Sequence, residues 1–86
     1  MKVAVYDTYV TRKDGGVMHF DILVPETLGS EEQVLLYGKD YLTHKKQEGQ
    51  PLTTRECRYC HIEEASETVV NDIEARGYSI IEMQGC

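Results

Sequence analysis

Two groups of residues in this chain could do chemistry. The first is Cys57-Arg58-Tyr59-Cys60-His61. Two thiolates separated by two residues can share a tetrahedral zinc ion when the chain between them turns tightly. His61, Cys86 or His19 would then supply the remaining ligands. The same run matches C-x-x-C-H, the attachment pattern of c-type haem, and contains the C-x-x-C of thioredoxin-like redox pairs. Each reading meets an obstacle. No second C-x-x-C or H-x-x-x-H pair completes a zinc signature, and haem attachment lacks both an export signal and a helical setting. In an extended strand Cys57 and Cys60 would stand about 10 Å apart on opposite faces, too far for a disulfide or a shared ion. A redox pair is expected at the mouth of a helix, and the next capping residue, Ser66, comes six positions later. Neighbouring residues of a strand point to opposite sides, which would separate Cys60 from His61 as a nucleophile and its base. The main reading is therefore structural, with one cysteine packed in the core and the other a spectator. Zinc held by Cys57, Cys60, His61 and Cys86 is the alternative, and a thiol-dependent or redox enzyme the second alternative.

The second group is Asp7, His19 and Asp21, and it depends on a hairpin. Lys2–Val10 is rich in Val, Tyr and Thr and predicts a strand. Val17–Val24 predicts another, with Met18, Phe20, Ile22 and Val24 facing the core. Asp14-Gly15-Gly16 turns the chain between them. A two-residue loop would pair Asp7 with Ile22 and drive a carboxylate into the core, at a cost of several kcal/mol. A three-residue loop, Lys13-Asp14-Gly15, pairs Arg12 with Gly16 and sets Asp7 against Asp21 and Tyr9 against His19. This second register is the expected one. It puts two carboxylates directly opposite each other, where they repel unless something positive lies near, either a His19 imidazolium or a bound cation. The polar cluster Asp7, His19, Asp21 then shares a face with Tyr9, Val17 and Leu23, a candidate contact surface that a homodimer could bury.

The remaining elements must carry these residues. Ser30-Glu31-Glu32-Gln33 has the pattern of a capping box, and apolar residues at helical spacing predict a helix from about Glu31 to Lys46. Ser66 caps a second helix, Glu67–Arg76, which Gly77 ends. Thr53–Ile62 favours a strand by residue type but alternates poorly. Tyr78–Met83 is the last strand. The expected order β-β-α-β-α-β describes an α+β two-layer sandwich: a four-stranded, mostly antiparallel sheet with two helices on one face.

At 86 residues the chain is a single domain, 1–86. Its net charge of −6 opposes nucleic-acid binding, which needs a basic face. There is no secretory signal and no apolar run of membrane-spanning length, so the expected location is the cytoplasm, where three cysteines stay thiols.

Taken together, Tyr6-Asp7-Thr8-Tyr9-Val10, Met18-His19-Phe20-Asp21, Glu56-Cys57-Arg58-Tyr59-Cys60-His61 and Gly85-Cys86 resemble a domain-of-unknown-function family of short bacterial proteins. The resemblance implies a small α+β domain with helices packed on a four-stranded sheet, and carries no catalytic residues with it. The sequence pattern also lacks a Gly-rich phosphate loop and a basic patch. The expected function is thus a binding or interaction module rather than an enzyme, with no cofactor unless the cysteine motif holds zinc.

Overall fold

Alternating apolar and polar residues near the N-terminus produce a long hairpin, and the rest of the chain is arranged around it. In the computed structural model, which describes residues 1–86, β1 (Lys2–Thr11) pairs antiparallel with β2 (Val17–Pro25). The loop is the three-residue one: Arg12 N–H donates to the Gly16 carbonyl at 2.7 Å, and Gly15 N–H donates to the Arg12 carbonyl at 3.0 Å. Gly15 takes φ +91°, a left-handed conformation that glycine adopts without strain. The Asp14 carboxylate locks the turn by accepting from the Arg12 guanidinium and from Gly16 N–H, and these contacts hold its pKa below the usual carboxylate range. Asp7 therefore lies opposite Asp21 and Tyr9 opposite His19, as expected.

A 3-10 turn, Glu26–Leu28, leads to α1 (Glu31–His44), where the Ser30 hydroxyl accepts from Gln33 N–H. The helix stops two residues short of Lys46, which itself turns left-handed at φ 60°. Thr53–Glu56 forms a tight turn in which Glu56 accepts from the Thr53 N–H and hydroxyl. The strand expected in this region thus begins only at the next residue, as β3 (Cys57–Glu64). Next comes α2 (Glu67–Arg76), capped by Ser66 and ended by Gly77 at φ +95°, and then β4 (Ser79–Gln84). The sheet runs β3-β1-β2-β4 and is antiparallel throughout. The α+β class and the element order match the sequence reading.

The helices do not share a face, however. Ala4, Val10, Met18, Phe20, Ile22 and Val24 pack with Val34, Tyr41 and Leu42 of α1, joined by Leu52, Cys57 and Tyr78. The alternate residues Val3, Val5 and Leu23 pack with Val69 and Ile73 of α2, on the other side. The expected two-layer arrangement is corrected accordingly. The physical reason is the strand order: α2 must carry the chain from the β3 edge to the β4 edge, and α1 already fills one face. Leu23, expected on an open contact surface, is instead buried beneath α2.

A ten-residue helix is only about 15 Å long, less than half the length of a ten-residue strand. Consequently α2 covers one end of its face and leaves the other end open. Two irregularities mark the sheet. Pairing of β1 with β3 shifts between Val5 and Tyr6, leaving Cys60 as the extra residue between Tyr59 and His61. Pairing of β2 with β4 shifts between His19 and Phe20, leaving Met83 extra. No helix is long and apolar enough to cross a membrane.

Candidate functional site

The open half of the second face is built from residues that the strand register aligns in rows. One row runs Arg58, Asp7, Asp21, Ile81 across all four strands; the next holds Tyr9, His19 and Gln84. His19 reaches diagonally, and its Nε2 lies 2.6 Å from Asp7 Oδ1. A carboxylate only accepts, so Nε2 carries the hydrogen of this bond. The Tyr9 ring stacks on the imidazole, with centroids 4.1 Å apart and planes 9° from parallel, and holds it in place.

Electrostatics make this row unusual. The Asp21 carboxyl titrates above its ordinary value, chiefly because it is partly buried and then because Asp7 stands beside it; the charges of His19 and His61 act in the opposite direction. One ligand atom from each of Asp7, His19 and Asp21 lies within 4.8 Å of the others, a separation that a divalent cation could bridge. Around the cluster, Tyr9, Val17 and Ile81 are exposed. An open depression of about 370 Å³ adjoins His19, lined by Tyr9, Arg12, Val17 and Gln84.

The cysteine motif is dispersed. Cys57 is buried opposite Thr8, and its burial pushes the thiol pKa up. Cys86 lies by the opposite edge of the sheet, where its Sγ contacts the carbonyls of His19 and Gln84, each at 3.4 Å. All three cysteines are free thiols, and the set Cys57, Cys60, His61, Cys86 is not drawn together as metal ligands are; the Asp7, His19, Asp21 cluster is. One expectation is reversed. Cys60 and His61 do not diverge, because the extra residue at the register shift brings Cys60 Sγ to 3.3 Å from His61 Nδ1. His61 Nε2 in turn lies 3.1 Å from Glu63 Oε2. Sequence reasoning missed Glu63 and Arg58. Glu63 follows His61 by two, the spacing that puts residues on one face of a strand, and that was the available signal. His44 sits in the last turn of α1, 3.6 Å from Asp40, consistent with a favourable charge at that helix end.

Comparison with known proteins places the chain. The model of a family described as a domain of unknown function, DUF2024, matches residues 1–83. The NMR structure of protein NE1680 from Nitrosomonas europaea is similar over 100% of this chain and 99% of that one, at 41% identity and a TM-score of 0.87. No curated protein matches significantly.

Proposed function

Because the chain belongs to the DUF2024 family, whose description assigns no activity, we propose its function from the open face itself: a binding module that receives a basic side chain of a protein partner between Asp7 and Asp21. The observation that carries this reading is the like-charged pair. Two carboxylates face each other across β1 and β2, partly removed from water, on the half of the face that α2 leaves uncovered. A lysine or arginine entering there would relieve the repulsion, while Tyr9, Val17 and Ile81 supply apolar contact around it. The net charge of −6 attracts such a partner and repels nucleic acid. A homodimer remains a competing occupant, but a two-fold contact centred on this row would set four carboxylates against one another. The three free thiols fit a reducing compartment such as the cytoplasm.

Titration with a short peptide of alternating arginine and valine tests the reading by NMR. Shifts should concentrate on Tyr9, His19, Asp21 and Ile81, weaken with added salt, and disappear in Asp7→Asn/Asp21→Asn. No response, or concentration-dependent dimerisation through this face in sedimentation, would refute it. A second reading, a divalent-cation site, rests on the 4.8 Å ligand cluster. Broadening by Mn²⁺ confined to Asp7, His19 and Asp21, with no response to the peptide, would favour that reading.

A further inference from the structure

The edge strand β3 carries a second constellation, independent of the open face. We propose that Cys60, His61 and Glu63 form a reactive-thiol site at which a low-molecular-weight disulfide is exchanged onto the protein. Cys60 is the extra residue of the β-bulge, a device that re-aims a side chain out of the regular alternation. Its thiol is exposed, and β3 pairs with β1 alone, so one side of the strand is open to an incoming reagent. Cys60 Sγ faces His61 Nδ1 at 3.3 Å, and His61 Nε2 faces Glu63 Oε2 at 3.1 Å. The Glu63 carboxylate can only accept, so the imidazole hydrogen resides on Nε2 and the Nδ1 lone pair is left toward the thiol. This is the order of nucleophile, base and orienting carboxylate that activates a thiol.

The other two thiols are placed for inertness. Cys57 is shut in the core, and the Cys86 thiol is engaged by the carbonyl oxygens of His19 and Gln84. The step itself balances. His61 Nδ1 takes the proton of Cys60, and the thiolate attacks one sulfur of the disulfide. A new S–S bond forms as the old one breaks, and the departing thiolate takes up the proton. Cys60 is oxidised and half of the reagent is reduced. Glu63 acts through His61 and is a positioning residue.

Oxidised glutathione is the probe, applied to the full chain at neutral pH, with each cysteine followed by peptide mass mapping. Native Cys60 should form the mixed disulfide at least about tenfold faster than Cys86, and about tenfold faster than Cys60 in the urea-unfolded chain. His61→Gln should bring the native rate down to the unfolded one. Glu63→Gln should give an intermediate rate, with its pH–rate profile displaced toward that of His61→Gln. A native Cys60 that reacts no faster than in the unfolded chain would overturn the proposal without recourse to any variant. So would a rate unchanged in His61→Gln.

Discussion

The face beneath α1 and the face beneath α2 are built from alternate residues of the same two strands, yet they differ in completeness. Under α1, aromatic, aliphatic and sulfur side chains close a core of twelve buried residues. Under α2, five buried residues make a small patch at one end, and beyond it the strands carry Asp7, Tyr9, His19 and Asp21. The strands change from two-sided to one-sided burial halfway along their length. One face stabilises the fold, while the second offers a surface whose residues are held at fixed spacing by a sheet already secured from behind.

Four substitutions would break or sharpen this contrast. The largest effect is expected for Phe20→Ala, which empties a fully buried site against Tyr41 in the α1 core and should cost about 3–5 kcal/mol in urea unfolding. A cost equal to that of His19→Ala, on the open face, would contradict the assignment of the two sides. Ile73→Ala in the small cluster should cost about 2–3 kcal/mol by the same measurement. A loss as large as that of Phe20 would mean the two cores are energetically equivalent. Gly77→Ala, at the end of α2, meets both a left-handed backbone and the Tyr37 hydroxyl, and should lower stability by about 1–2 kcal/mol. Hydrogen exchange should show that loss as faster opening of α2 than of α1.

The smallest effect has the opposite sign. Asp21→Asn removes a like-charge pair and should stabilise the isolated protein by about 0.5 kcal/mol at neutral pH, after allowance for solvent screening. The sign of its pH dependence follows from the elevated pKa of Asp21 in the folded chain. The folded state holds this proton more tightly than the unfolded one. The contribution to stability is therefore complete below the ordinary carboxylate range and is lost as pH rises through the elevated value. Thermal melts across this range should accordingly show a smaller decline with rising pH in Asp21→Asn than in the wild type.

The hairpin was legible because one register would have buried Asp7, and the cost of that burial selects the other. The second helix was legible to its boundaries because Ser66 and Gly77 punctuate both ends. Its face was not. Val69 and Ile73 show that α2 buries one side but say nothing about which side of the sheet receives it. The available signal lay in the strands: Val3-Ala4-Val5 and Ile22-Leu23-Val24 are unbroken apolar runs, as expected where both faces are covered. In the cluster at Asp7, His19 and Asp21 the hairpin register alone placed the side chains, so the sequence sufficed. At Cys60 it did not suffice, because strict alternation puts neighbouring residues on opposite faces. A bulge depends on how β3 seats against β1, a long-range fit that no local pattern encodes.

The strand order also bears on how the chain is made. β1 and β2 occupy the middle of the sheet, but the strands that flank them lie some thirty to sixty residues further along the chain. During synthesis the hairpin emerges before β3 and β4, with both of its outer edges unpaired. Such edges are templates for pairing with other chains until β3 covers one and β4 the other. The interval of exposure ends only when Ser79–Gln84 has left the ribosome. Slowing translation between Pro25 and Ser79 should therefore increase co-translational aggregation of this protein, and a chaperone that binds free strand edges should suppress it.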